Sequence, residues 1–463
     1  MSETPLREKV QGLYGLIGER GLYVNSNHDV FIGGHDVIQA GINLNYEFRL
    51  LGNDGRAYAS PLLFAALTSL LKHGTMLITG APGIGKTTGA EFAGHFFTGV
   101  PLDDILAATI QGHPQQTEEK MIARYHTGDL IKEGKENVLP RKFLTCPVKL
   151  IDEISRLDPD KFSIILRLID TGKAVYGDTL LDSQKGPLFA TANYADAGTF
   201  SMPPPALDRF DIAVVVTSPQ PWDLERIYSR ADEKLNGGLA ALLEIPEELK
   251  LSKENVEQIQ TEINDLPMPD DMTAYMNFVL ATIRFSEEAS NDVTRMTKGN
   301  AWKSLEMENA RFANHPSTYV KNELSVRTAR AWQRYAKALA WFAGKKEVDE
   351  ESMKTVFPYA VWHKLEPSDK AVQEPWKALN DRIGFAQNLM EKITDEWNTV
   401  KEHPVIKTWA AVYEAIKDKD SQPENLRKQV RVTIKKIAEW DNPYALILAK
   451  NLESEYNQRM MRK

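Results

Sequence analysis

The chain has 463 residues, 42 % of them hydrophobic and 26 % charged, and its 56 basic and 64 acidic side chains leave a net charge of -8. That length supplies core for roughly two to four domains and excludes a disordered chain or a small stapled scaffold, while the negative balance argues against a broad cationic surface for nucleic acid. A single cysteine, Cys146, excludes an internal disulfide framework and a thiolate zinc site and fits a reducing compartment.

The charged start, Met1–Lys9, lacks the apolar stretch of a secretory signal. No later run approaches the ~18–20 apolar residues that span a bilayer, so a cytoplasmic protein without a membrane segment is expected. Leu6 to Gly18 has helical spacing, and Gly33-Gly34-His35-Asp36 opens a second segment that includes a strand, an Asn53-Asp54-Gly55 turn and a strand within Tyr46–Tyr58. Ser60 and Pro61 read as the N-cap and first residue of a helix. Between Thr75 and Val216 five short apolar runs alternate with amphipathic helices: Met76–Thr79, Asp104–Ile110, Val148–Ile151, Leu188–Ala192 and Ile212–Val216. Their near-continuous apolar character suits strands buried on both faces of a parallel sheet, which predicts an α/β layered domain. After Pro219 the strand signals fade. Residues 222–366 are helical pattern broken by Gly237-Gly238 and by Pro267–Asp270. Residues 369–463 read as three or four helices whose Trp376, Trp397, Trp409 and Trp440 are expected to anchor a small bundle. Residues 401–463 hold 13 basic and 9 acidic side chains, a mild excess that suits a solvated helical surface.

The segment Gly80-Ala81-Pro82-Gly83-Ile84-Gly85-Lys86-Thr87 matches G-x-x-x-x-G-K-[ST] at every fixed position. It follows the run Met76–Thr79 and opens a helix over Thr88–Phe97, the strand–loop–helix context that phosphate binding demands. Gly80, Gly83 and Gly85 let backbone N–H groups face phosphates, with Pro82 and Thr88 in the same cradle. Lys86 is placed to reach the β- and γ-phosphates, and the Thr87 hydroxyl to hold Mg²⁺, so ATP and Mg²⁺ are the expected cofactors. Val148-Lys149-Leu150-Ile151-Asp152-Glu153 is an apolar strand ending in adjacent carboxylates, the form of a Walker B segment. Asp152 suits the metal, and Glu153 suits the general base on the attacking water. Leu188–Asn193 ends another strand in a neutral amide, so that Asn193 is placed to orient that water. Arg209, in Ala206-Leu207-Asp208-Arg209-Phe210-Asp211, cannot easily reach its own nucleotide in such a sheet. It suits an arginine finger offered to a neighbouring subunit, or else a surface arginine paired with Asp208 or Asp211. His113, His126 and His363 have no second His or Cys at ligand spacing, which leaves them polar or packing roles.

In combination these motifs resemble the AAA+ ATPases and, within them, the MoxR family. Asp152-Glu153-Ile154-Ser155-Arg156-Leu157-Asp158-Pro159 resembles that family's D-E-I-N-R-A-x-P stretch, and Thr191-Ala192-Asn193 through Pro203 resembles its sensor 1 segment, with Tyr194 in place of the usual proline. Leu207–Phe210 matches L-D-R-F, Thr171–Asp178 is similar to the pre-sensor hairpin, and Ser325-Val326-Arg327 resembles the lid signature S-x-R. The resemblance covers roughly residues 28–366, with residues 43–60 as an insertion, a long 220–320 region and no counterpart for 369–463. It implies an AAA+ P-loop domain with a five-stranded parallel sheet flanked by helices, an α-helical lid and an α-helical C-terminal extension. The corresponding division is 1–30, 31–220, 221–368 and 369–463. It also implies that Arg327 acts as sensor 2 at the γ-phosphate. The expected activity is ATP hydrolysis in a ring-shaped homo-oligomer, a hexamer, that remodels or matures a protein client. A von Willebrand factor A-domain chain is a candidate partner.

Two other readings stand beside this one. A P-loop motor on nucleic acid, or a restriction-type NTPase subunit, would want a basic pore loop, whereas the candidate Gln111–Lys120 is neutral to acidic. A nucleotide-binding scaffold without turnover would have no need of Glu153 and Arg209.

Overall fold

Strands that are apolar along their whole length bury both faces, and their backbone N–H and C=O groups then need strand neighbours on each side. The computed structural model describes residues 5–20, 26–33, 57–126, 131, 137–193, 202–218, 243–285, 315–373, 378–417, 423–440 and 443–461. The Asn53-Asp54-Gly55 turn, Gly34–Asp36, Tyr194–Ser201, Gly237-Gly238 and Trp376 lie outside these residues.

Helix α1 (Leu6–Glu19) precedes an antiparallel pair of strands, β1 (Val30–Gly33) and β2 (Ala57–Ala59). Helix α2 (Leu62–Leu70) follows, with every residue buried. The Ser60 hydroxyl accepts the Leu62 N–H at 3.3 Å, and the helix begins one residue after Pro61. Then come β3 (Thr75–Gly80), α3 (Lys86–Thr98), α4 (Leu102–Ala108), β4 (Thr109–Gln111) and the antiparallel pair β5 (Ala123–Tyr125) and β6 (Val138–Pro140). The domain continues through β7 (Lys149–Asp152), α5 (Pro159–Thr171), the hairpin β8 (Lys173–Tyr176) with β9 (Thr179–Asp182), β10 (Leu188–Asn193) and β11 (Ile212–Val216).

Five of these strands form one parallel sheet in the order β11-β3-β10-β7-β4. Four of the five expected runs are these strands; the fifth, Asp104–Ile110, is corrected. It is mostly helix α4, leaving only Thr109–Gln111 as an edge strand. Pro101 fixes the entry to that helix, and Asp103 and Asp104 in its first turn complement the positive helix end, so local chemistry overrides an apolar run that fits either state.

The longer helices that follow are α6 (Lys253–Asp265), α7 (Asp270–Arg284), α8 (Val326–Phe342), α9 (Glu350–Val361), α10 (Arg382–Val400), α11 (Pro404–Lys417), α12 (Pro423–Ala438) and α13 (Pro443–Met461). The chain divides into two compact units, one of Met1–Pro269 with Arg330–His363 and one of Asp270–Ala329 with Lys364–Lys463. In the first, α9 and the residues after it hold the connection into β11. Trp362 Nε1 donates to the Ala213 carbonyl at 2.7 Å, and the buried His363 Nε2 lies 3.0 Å from the Phe210 carbonyl. Asp211, also buried, accepts Arg334 Nη2 at 2.7 Å and the Thr75 N–H at 3.2 Å. In the second unit Trp397 packs against Phe278 and Tyr275, ring centroids 5.3 and 5.8 Å away, and Tyr444 meets Phe278 edge-on at 4.9 Å. Val412, Ile416, Leu426, Val430 and Leu452 make a second cluster, with Trp409 packed against it, and Trp440 stacks on His403 at 4.7 Å. Trp397, Trp409 and Trp440 thus serve packing. Among the described residues no helix is long and apolar enough to cross a membrane.

Lys149 opens β7 and is 4 % exposed. Its ammonium donates to the carbonyls of Cys146 (3.1 Å), Pro147 (3.5 Å) and Gln184. Burial pushes its pKa from 10.5 down to about 8, opposed by the Cys146 side chain. Between pH 8 and 10.5 the unfolded chain therefore holds a proton that the folded chain has released, and folding gains stability as pH rises through that window. Relative to Lys149→Met, the wild-type chain is expected to gain roughly 2–4 kcal/mol across it. Chemical denaturation at stepped pH measures this gain, and parallel profiles for the two proteins would overturn the assignment.

Candidate active site

The phosphate loop runs from the last residue of β3 to the first residue of α3. Gly83 and Gly85 take φ of +76° and +83°, a left-handed conformation that favours glycine. Open space lies where a Cβ would stand on either. Gly85 is the N-cap of α3 and no side chain caps that end, so the first N–H groups of a 13-residue helix are left for an anion. Pro82 is exposed on the loop, and Thr88 lies in the helix's first turn. Lys86 is 6 % exposed. Its ammonium donates to the loop's own carbonyls, Gly80 at 3.0 Å and Ala81 at 2.6 Å, and to Asn193 Oδ1 at 2.7 Å. Burial lowers its pKa, while Asp152 and Glu153 act to raise it.

The parallel register carries β7 and β10 to the same end of the sheet as this loop. Asn193 pairs with Gly80, and Ala190 with Ile151, one residue before Asp152. Asp152 Oδ1 accepts the hydroxyls of Thr87 (2.5 Å) and Thr191 (2.6 Å), and its Oδ2 accepts Gln111 Nε2 (2.9 Å). Asn193 Nδ2 donates to Glu153 Oε1 at 2.9 Å, which gives an unbroken chain from Lys86 through Asn193 to Glu153. The other Glu153 oxygen pairs with Arg156 Nη1 at 3.0 Å. Glu153 has φ 52° and ψ 48°, and among the described residues it alone is left-handed without being glycine. That conformation costs an L-residue about 1–2 kcal/mol, and such strain concentrates at working sites.

Gly80, Lys86, Thr87, Asp152, Glu153 and Asn193 are therefore brought together, and Arg209 is not. Its carbonyl accepts the hydroxyl of Thr75, the first residue of β3, at 2.8 Å. Six residues of strand separate that point from the loop, roughly 16 Å at the usual strand rise. The guanidinium pairs with neither Asp208 nor Asp211, as a short-range reading expects, but with Asp170 on α5. Nε and Nη2 lie 3.0 and 2.7 Å from Oδ2, and Nη1 donates to the Pro205 carbonyl at 2.7 Å. Arg327 is exposed on the first turn of α8, in the second unit. The motifs give no role at the site to Gln111, Gly112, Arg156 or Thr191 as individual residues. Gln111 and Gly112 open the segment read as a pore loop, yet they lie against Asp152. The Gly112 N–H donates to the Asp152 carbonyl at 2.7 Å, and a Cβ on Gly112 would overlap the Glu153 carbonyl oxygen.

The donor set fits a nucleotide with Mg²⁺. The Thr87 hydroxyl and Asp152 carboxylate, hard oxygen donors, meet at one point beside uncapped helix N–H groups. Among the described residues no group of three His, Cys, Asp or Glu side chains offers a metal site of its own.

Residues 75–210 match the model of an AAA domain of the dynein-related subfamily, and residues 313–382 match an AAA lid domain. The chain resembles the solved structure of a candidate ATPase from Cytophaga hutchinsonii, with 18 % identity and a TM-score of 0.55 over 84 % of this chain and 94 % of that one. Among curated proteins none matches. The five-stranded parallel sheet flanked by helices, with a helical lid and C-terminal helices after it, is an AAA+ fold.

Two glycines separate open strain from overlap. Gly83→Ala meets no neighbouring atom and is expected to cost about 1 kcal/mol for its left-handed backbone. Gly112→Ala has to displace the Glu153 carbonyl and is expected to cost about 2–3 kcal/mol. Thermal denaturation compares them, and equal shifts would contradict the packing described.

Proposed function

We propose that this chain, an AAA domain with its lid and a helical extension, hydrolyses ATP. The observation that carries the reading is the hydrogen-bond chain from Lys86 through Asn193 to Glu153, which ties a phosphate-loop lysine to a carboxylate suited to a base. On this reading Lys86 leaves the Gly80 and Ala81 carbonyls for the β- and γ-phosphates. Asn193 orients the attacking water, and Glu153 takes its proton as the water oxygen bonds to the γ-phosphorus and ADP departs. Mg²⁺, held by Thr87 and Asp152, would neutralise charge on the phosphate oxygens.

Arg209 stands at the opposite end of the strands from its own phosphate loop, which supports a role in trans at a neighbouring subunit and hence a homo-oligomeric ring. In the same reading Arg327 serves as sensor 2. The D-E-I-S-R stretch, the hairpin β8–β9 and L-D-R-F support a MoxR-type machine, with a hexamer and a von Willebrand factor A-domain partner as corollaries. The net charge of -8 favours a protein client over nucleic acid.

Glu153→Gln is expected to keep nucleotide bound and to lower phosphate release at least about a hundredfold. Wild-type turnover in that variant would sink the reading. Arg209→Ala is expected to be inactive alone and to regain activity when mixed with inactive Lys86→Ala, up to about a quarter of wild type at equal amounts, because a shared site needs one intact group from each subunit. A mixture as inactive as its parts would count against the finger.

A further inference from the structure

Thr191 is 0 % exposed, in the middle of the central strand β10 between Ala190 and Ala192, which are also buried. A buried central-strand position of this size favours valine on packing and β-propensity, and a hydroxyl there needs its own partners. Those partners are both in the Walker B segment. Thr191 Oγ1 accepts the Glu153 N–H at 2.9 Å and donates to Asp152 Oδ1 at 2.6 Å.

The peptide it grips is the strained one. Glu153 is left-handed, and its backbone is held from several sides. Thr191 takes the N–H, the Arg156 N–H donates to the Glu153 carbonyl at 2.9 Å, and Gly112 lies against that carbonyl with no side chain in the way. The conformation aims the carboxylate at Asn193. An ordinary right-handed or extended backbone at residue 153 would swing the side chain off that line.

We propose that Thr191 is a positioning residue for Glu153: its hydroxyl holds the left-handed backbone that presents the carboxylate to Asn193. The inference rests on the ATPase reading and deepens it, since it says what keeps the base in place. Thr191 itself touches neither nucleotide nor water in the scheme.

The test uses the full chain, with steady-state ATP hydrolysis, fluorescent-nucleotide binding and thermal midpoints measured side by side. Thr191→Val keeps the shape and removes the hydroxyl, and it is expected to lower kcat by ~10–100-fold, the usual scale for losing a group that orients a reacting one. KM and nucleotide affinity are expected to stay within about threefold, since the phosphate loop is untouched. Thr191→Ser restores the hydroxyl and is expected to return kcat to within about threefold of wild type. In a Glu153→Gln background Thr191→Val is expected to add nothing to the single-turnover loss, because the group it positions is already gone.

Wild-type kcat in Thr191→Val would overturn the inference. So would a Thr191→Ser variant as slow as Thr191→Val with an unchanged thermal midpoint, or a full additional loss in the Glu153→Gln background. If Glu153→Gln itself hydrolyses at the wild-type rate, the assignment of the base fails and this inference falls with it. A chain that needs Glu153 but not the Thr191 hydroxyl removes the inference alone.

Discussion

One carboxylate oxygen gathers the site. Asp152 Oδ1 accepts Thr87 from the start of α3 and Thr191 from the centre of β10, while the other oxygen of the same group accepts Gln111 from the end of β4. Three segments distant in sequence thereby meet around a single side chain. Adjacent to it, Asn193 joins Lys86 to Glu153, so a displacement of the phosphate loop is felt at the neighbouring carboxylate through one amide. The sheet order makes this possible: β10 lies between β3 and β7, and parallel pairing delivers the carboxyl ends of all three to one edge, where open α/β sheets bind ligands.

Much of this was legible in the residues because it is local. The phosphate loop is eight consecutive residues whose backbone geometry is written in its glycines, and Asp152 and Glu153 stand at the visible end of an apolar run. What could not be read is what depends on register. Thr191 looks like a strand threonine until Ala190 is known to pair with Ile151, and Gln111 and Gly112 look like loop residues until Gln111 is known to pair with Asp152. The partner of Arg209 illustrates the same limit. Asp208 and Asp211 were the near choices, but the chain folds so that Asp170 from the far end of α5 arrives first, and Asp211 is occupied by Arg334 and Thr75. The misread stretch at Asp104–Ile110 has a different cause, since a short apolar run carries no periodicity that separates strand from buried helix.

The opposite edge of the sheet is built with comparable care. Arg334 on α8 and Thr75 on β3 converge on Asp211, while Trp362 and His363 close on the carbonyls of Ala213 and Phe210. The chain that carries Arg209 is therefore gripped just beyond that residue, at Phe210, Asp211 and Ala213, by the part of the helical region that belongs to the first unit.

The Arg209 guanidinium itself is fixed at three nitrogens, two on one Asp170 oxygen and one on the Pro205 carbonyl. A free arginine side chain carries ~2 kcal/mol of rotamer entropy, which is normally surrendered at the moment of contact. Here most of that ordering is completed when the chain folds. Whatever anionic group approaches this edge competes with Asp170 for a donor fork that already has its shape and direction, so the encounter is a substitution of one oxygen partner for another rather than the capture of a wandering charge.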